Sequence, residues 1–126
     1  ENIKFVTDAL FGATNEPGGT SYASRHTDSK YIFAGKTGTS QIKRITEEQR
    51  ELQIKYKDQD YLDRDHALYI ALAPYKNPRY AISVLIEHGG SGSAVAAPIA
   101  KKLIKKIIDR HSSRILFQPG DIYEDI

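Results

Sequence analysis

The sequence predicts an α+β domain, an antiparallel sheet with flanking helices, and three stretches predict it. Two apolar runs, residues 67–73 and 80–87, flank Pro74-Tyr75-Lys76-Asn77-Pro78-Arg79, a turn short enough to require an antiparallel hairpin. A third run, residues 32–42, carries Ile32, Phe33, Thr37, Thr39 and Ile42 in loose alternation and reads as a further strand. From within a turn of Pro98 to about Arg110, apolar residues recur at helical spacing.

Composition sets the outer limits. The 126 residues are 40% hydrophobic and 27% charged, which fits one globular domain or a piece of one. A net charge of +2 gives no reason to expect nucleic acid. With no Cys there is no disulfide, thiolate metal site or cysteine nucleophile. No apolar run has the length of a membrane span, and no signal peptide opens the chain. The chain opens at Glu1 and contains no Met, so it is expected to be a processed or excised segment.

Ile3, Val6 and Leu10 predict a first helix over residues 2–14, ended by Asn15-Glu16-Pro17-Gly18-Gly19. Residues 20–30 are polar, and Tyr22 and Arg25 read as loop packing. The strand that follows contains Ala34-Gly35-Lys36-Thr37-Gly38-Thr39-Ser40. Alternation puts the hydroxyls of Thr37 and Thr39 on one face and Lys36 on the other, beside the space left by Gly38. Two hydroxyls and a cation suit a carboxylate lying along the strand. A phosphate-binding loop would need a glycine at position 30, which is Lys, and would feed a helix rather than continue as a strand. A structural strand with a solvated lysine is the plain alternative.

Residues 43–65 are charged; Thr46-Glu47-Glu48-Gln49 has capping-box spacing and predicts a short helix near 47–55. The segment reads either as a solvated face or as a flap beside the strand ending at Ile42. The near-continuous apolar character of 67–73 and 80–87 predicts two central strands covered on each face. In the last helix Ile99, Leu103, Ile104, Ile107 and Ile108 form the stripe expected to pack on the sheet, with Lys101, Lys102, Lys105 and Lys106 opposite. Those lysines read as a soluble surface, or as a contact for anionic lipid or polyanion. His26, His66, His88 and His111 are scattered without ligand spacing, so no metal is expected. Asp65-His66 is the pair to watch, and a structural hydrogen bond is its expected role. Residues 112–126 read as a loosely docked tail after a unit spanning 1–111.

Taken in order, Gly35-Lys36-Thr37-Gly38-Thr39-Ser40, Asp65-His66-Ala67-Leu68, Ala73-Pro74-Tyr75 with Asn77-Pro78, and Glu87-His88-Gly89-Gly90 before a helix resemble the penicillin-binding protein 2 family. These are class B peptidoglycan D,D-transpeptidases, and the resemblance runs over about residues 1–110. It implies a partial β-lactamase/transpeptidase-like fold with the lysine motif on the strand beside the catalytic cleft. It also implies that Lys36 supplies positive potential, that Thr37 and Thr39 hydroxyls bind a substrate carboxylate, that the Thr39 N–H is an oxyanion donor, and that Gly38 allows close packing. The carboxylate belongs to a D-alanyl-D-alanine stem peptide or to a β-lactam that mimics it. The family's Ser-x-x-Lys and Ser-x-Asn motifs are not found: Ser40-Gln41-Ile42-Lys43 lies in the lysine-motif strand itself, and no Ser-x-Asn triplet occurs. The chain is therefore expected to be the C-terminal part of a transpeptidase domain, inactive alone. The parent is expected in the bacterial inner membrane, facing the periplasm with cell-elongation membrane proteins, and needs no cofactor. An unpaired strand near 80–87 and an undercovered apolar face should make the segment self-associate. The alternative is a non-catalytic binding module for a partner protein or an anionic wall polymer.

Overall fold

The computed structural model describes residues 2–42 and 56–111. Helix α1 spans Asn2–Asn15, and three strands follow: β1 (Ala34–Ser40), β2 (His66–Ala73) and β3 (Tyr80–Ile86). A wide turn, Gly92–Ala96, runs into helix α2 (Ala97–His111). Single 3₁₀ turns occupy Tyr22–Ser24, Ser29–Tyr31, Tyr56–Asp58 and Tyr61–Asp63. The helix expected near 47–55 and the tail from 112 lie outside the described residues.

The sheet is antiparallel in the order β1-β2-β3. Its register sets Gly38 opposite Leu68 and Leu68 opposite Leu85, with Thr37 opposite Tyr69 and Tyr69 opposite Val84. The two faces therefore differ. Ala67, Tyr69, Ala71, Ala73 and Val84 lie on the face that packs against Ala96, Ala97, Ala100, Ile104 and Ile108 at the start and along one side of α2. Burying those apolar side chains supplies most of the cohesion.

On the opposite face, Ile70 is 53% and Leu85 55% exposed. Leu10 of α1 reaches one corner, where it lines a groove of about 340 Å³ with Ile70, Leu72, Ala81 and Ser83. The hairpin is as expected, but two doubly covered central strands are not found: β2 alone is central, and β3 is an edge among the described residues. Both faces of β2 and β3 are apolar, so the sequence could not distinguish the face covered by α2 from the open one.

The first helix is found where expected, and the last corrects the expected packing. In α2 the sheet is met by Ala97, Ala100, Ile104 and Ile108, while Ile99 and Leu103 stay on an exposed flank. Alanines let the helix axis approach the sheet closely, and this turns the bulkier flank outward. The Gly92–Ala96 turn that leads into it is capped by Ser91, whose side chain accepts the Ala94 N–H. In α1, Ile3 and Val6 are exposed; beside Leu10 at the corner of the open face, the hydrogen bonds to the sheet come from the helix end through Thr14 and Asn15. Arg25 stacks on the Tyr22 ring at 3.7 Å and donates to the Tyr22 carbonyl, so both residues do pack the loop.

Candidate active site

The site is built along the outer edge of β1. Thr14 Oγ1 accepts the Gly35 N–H at 3.0 Å and donates to the Gly35 carbonyl at 3.1 Å, and Asn15 Nδ2 donates to the Phe33 carbonyl at 2.8 Å. The backbone groups of Phe33 and Gly35 therefore face away from β2, and α1 closes that half of the edge. In an antiparallel ladder this direction alternates, so the N–H and C=O of Thr37 and Thr39 point to the same outer edge, beyond the reach of α1. Thr14 is itself held from behind: it lies 3.0 Å from the Tyr69 hydroxyl, which donates to Ser21 at 3.1 Å. Burial pushes the Tyr69 phenol up from its ordinary value, offset in part by the Ser21 and Thr14 hydrogen bonds.

Lys36 is exposed and lies on the open sheet face, as alternation requires. Its Nζ donates to the Thr37 carbonyl at 3.0 Å and lies 3.4 Å from Thr37 Oγ1. Thr37 Oγ1 in turn donates to Thr20 Oγ1 at 3.1 Å. Lys36, the Thr37 hydroxyl and the Thr20 hydroxyl thus form one polar group at the edge. Thr39 is exposed one step further on.

Gly38 sits between two surfaces. On the open face, a Cβ added to it would meet only the Leu68 side chain, at 3.3 Å. On the α2 side, Gly92 is packed so closely that a Cβ there would stand 2.5 Å from the Gly38 carbonyl oxygen and 2.7 Å from that of Leu68. Gly92 must be glycine for this reason, and Gly38 is left free on the side of Lys36.

At the far end of β1, Asp65 and His66 serve other partners rather than each other. Asp65 Oδ1 accepts the Ile42 N–H at 3.2 Å, and His66 Nδ1 accepts the His88 N–H at 3.0 Å. The hydrogen bond expected for this pair is structural, but it reaches the β3–α2 turn. Among the described residues no group of His, Asp and Glu is gathered as metal ligands, and no helix is long and apolar enough to cross a membrane. Lys36, Thr37, Gly38 and Thr39 are thus brought together as their adjacency required. Thr20, Thr14 and Gly92 were not picked out from the sequence. Thr20 follows Gly18-Gly19, but nothing in that spacing specifies Thr37, seventeen residues away, as its partner.

Among the described residues, a three-stranded antiparallel sheet backed by a helix, with a Lys-Thr-Gly strand open along part of one edge, defines a part of the transpeptidase class of folds. The family model for the penicillin binding protein transpeptidase domain matches residues 1–105, and the chain belongs to that family. Its relatives are of the penicillin-binding protein 2 type: the peptidoglycan D,D-transpeptidase MrdA of Salmonella typhimurium strain SL1344 is 40% identical over 108 residues, 82% of this chain and 16% of that protein. The penicillin-binding protein (PBP2) solved in complex with MreC from Helicobacter pylori superposes with a TM-score of 0.71 at 30% identity, over 88% of this chain and 18% of that one. Pseudomonas aeruginosa PBP2, solved with WCK 5153, gives 0.59 at 31% identity over 82% of this chain and 18% of that one. The chain thus spans less than a fifth of the length of these relatives.

Proposed function

We propose that this chain is the C-terminal part of the catalytic domain of a serine-type peptidoglycan D,D-transpeptidase, and that β1 is its substrate-binding strand. The observation that carries this reading is the outer edge of β1. Only its first half is closed by α1, and the second half presents the Thr37 and Thr39 backbone groups beside Lys36 and the Thr37 hydroxyl.

An extended stem peptide ending in D-alanyl-D-alanine fits such an edge as an added antiparallel strand. The hydroxyls of Thr37 and Thr39 hydrogen-bond its terminal carboxylate, and Lys36 adds positive potential there. A serine supplied from outside this chain attacks the penultimate carbonyl carbon. The Thr39 N–H binds the resulting oxyanion, D-alanine leaves with a proton on its nitrogen, and the acyl group passes to an amine of a neighbouring peptidoglycan strand. A β-lactam takes the same path to a stable acyl-enzyme. Nothing in this scheme calls for a cofactor, and the 126-residue chain alone carries out no turnover. The parent acts at the periplasmic face of the inner membrane with membrane proteins of cell elongation; the complex of the Helicobacter pylori relative with MreC supports that setting.

The test is acylation kinetics by a β-lactam in the full transpeptidase chain. Lys36→Ala is expected to slow acylation on the order of 100-fold, the scale of losing one preorganised electrostatic group. Thr37→Val is expected to weaken the initial complex more than the acylation step. Acylation at the wild-type rate by Lys36→Ala would remove the basis of the assignment.

A further inference from the structure

The segment linking β3 to α2 does more than connect them. It crosses the α2-side face of the sheet back towards β1. Gly89 packs on Ala67, where an added Cβ would lie 2.9 Å from the Ala67 Cβ, and Gly92 ends against the Gly38 carbonyl oxygen. That oxygen belongs to the same peptide plane as the Thr39 N–H. Any rotation of this plane that moves the oxygen off Gly92 also re-aims the N–H at the outer edge.

Two adjacent residues at the start of β2 hold the crossing segment. The Asp65 carbonyl accepts the Gly90 N–H at 2.8 Å, and His66 Nδ1 accepts the His88 N–H at 3.0 Å. His88 has φ +54°, a left-handed conformation that a non-glycine residue keeps only when its surroundings hold it there. Its ring lies 3.2 Å from the Arg64 carbonyl through Nδ1 and packs between the Tyr61 and His66 rings, at 5.0 and 5.1 Å. The Asp65 carboxylate meanwhile takes the Ile42 N–H at 3.2 Å, two residues past the end of β1. Since His66 Nδ1 receives an N–H, it is the unprotonated nitrogen of the ring, and its proton resides on Nε2.

We propose that Asp65 and His66 are positioning residues for acyl transfer: they clamp the His88–Gly92 turn and the exit of β1, so that Gly92 bears on the Gly38–Thr39 peptide and fixes the direction of the Thr39 N–H. This rests on the reading of Thr39 as an oxyanion donor. An oxyanion donor works only within a few tenths of an ångström of its proper place, so a loosened clamp acts on the chemical step rather than on initial binding.

The experiment separates these steps in the full transpeptidase chain, measuring the dissociation constant of a penicillin and its acylation rate constant for wild type, His66→Ala, His66→Asn, Asp65→Ala and Asp65→Asn. Asparagine at 66 places its amide oxygen where Nδ1 stands, and asparagine at 65 keeps an acceptor for Ile42. Both alanine variants are expected to lower the acylation rate constant about 10- to 100-fold with little change in the dissociation constant, and both asparagine variants to restore most of it. If His66→Ala does not fold, His66→Gln, which carries its oxygen one bond further out, takes its place. Rate and affinity falling together with no rescue by asparagine, or alanine variants equal to wild type, would overturn the clamp. The Thr39 amide resonance gives a readout independent of acylation: it moves in His66→Ala and returns in His66→Asn, and an unmoved resonance also overturns the clamp. A wild-type chain that penicillin does not acylate overturns instead the transpeptidase reading beneath it.

Discussion

Gly38 and Gly92 touch the same peptide, and alanine at each should have different consequences. In Gly92→Ala the new methyl would stand 2.5 Å from the Gly38 oxygen and 2.7 Å from the Leu68 oxygen, both of them backbone atoms of the sheet. The nearer contact falls about 0.8 Å short of an ordinary carbon–oxygen approach of ~3.3 Å. Either the Gly92–Ala96 turn lifts away or the Gly38–Thr39 peptide turns beneath it, and the packing of Ala96, Ala97 and Ala100 loosens. Overpacking of this kind costs about 2–3 kcal/mol. In Gly38→Ala the only neighbour among the described residues is the Leu68 side chain, with its Cβ at 3.3 Å and Cδ1 at 3.9 Å, and a small shift absorbs it. Stability should change by less than about 1 kcal/mol, helped by a less flexible unfolded chain. The same methyl, however, projects from the open face beside Lys36, into the space that the proposed function reserves for the nucleophile's side of the cleft. Urea unfolding of the full transpeptidase chain, paired with penicillin acylation, separates the two. Gly92→Ala should lose stability and, because the Gly38–Thr39 peptide it bears on is displaced, acylation with it, whereas Gly38→Ala should keep stability and lose acylation about 10-fold or more. Equal destabilisation by both, or a fully active Gly38→Ala, would refute this division, in which Gly92 is bound by packing and Gly38 is not.

Three further outcomes are expected. Tyr69→Phe removes the hydroxyl that joins Thr14 and Ser21, and should cost about 1–2 kcal/mol in thermal or urea unfolding. Because burial raises the Tyr69 pKa, its contribution is complete below the ordinary tyrosine value and is lost as pH rises through the raised one; the alkaline limb of unfolding should soften in Tyr69→Phe. Asp109 is held below the usual carboxylate range by hydrogen bonds from Lys105, then Lys30 and Tyr31, so its contribution is present above the unfolded carboxylate pKa and is lost as pH falls through the folded one. It is exposed, so the acid-side difference between wild type and Asp109→Asn should be small and should shrink further in high salt. Finally, sedimentation of the isolated chain should reveal self-association through the open sheet face, reduced by Ile70→Lys or Leu85→Lys; a monomer at high concentration would contradict it.

The sequence signals that worked were local ones. Pro74, Asn77 and Pro78 between two apolar runs define a hairpin whatever surrounds it, and the Lys-Thr-Gly run places a cation and two hydroxyls by alternation alone. The misplaced features concern what covers an apolar face. His66–Ala73 reads as apolar on both sides, yet only the side of Tyr69 meets α2. Ile3 and Val6 have helical spacing but stay exposed, and α1 is bonded to the sheet by two polar residues at its end, where a threonine closes the hydrogen bonds of a strand edge. At the candidate site, Lys36, Thr37, Gly38 and Thr39 were legible because they are contiguous. Thr14, Thr20, Gly92 and the outward reach of Asp65 and His66 were not, because each acts through a contact between segments distant in sequence.

The central claim is that β1 is the substrate strand of a transpeptidase whose nucleophile lies outside these 126 residues. Labelling by a fluorescent penicillin, run in parallel on this chain and on the full transpeptidase chain, each with and without Lys36→Ala, tests it most directly. The claim predicts a covalent label on the long chain only, reduced by Lys36→Ala. Label on the short chain would mean that a serine here, such as Ser40, is the nucleophile, and a long chain that takes no label would contradict the claim outright.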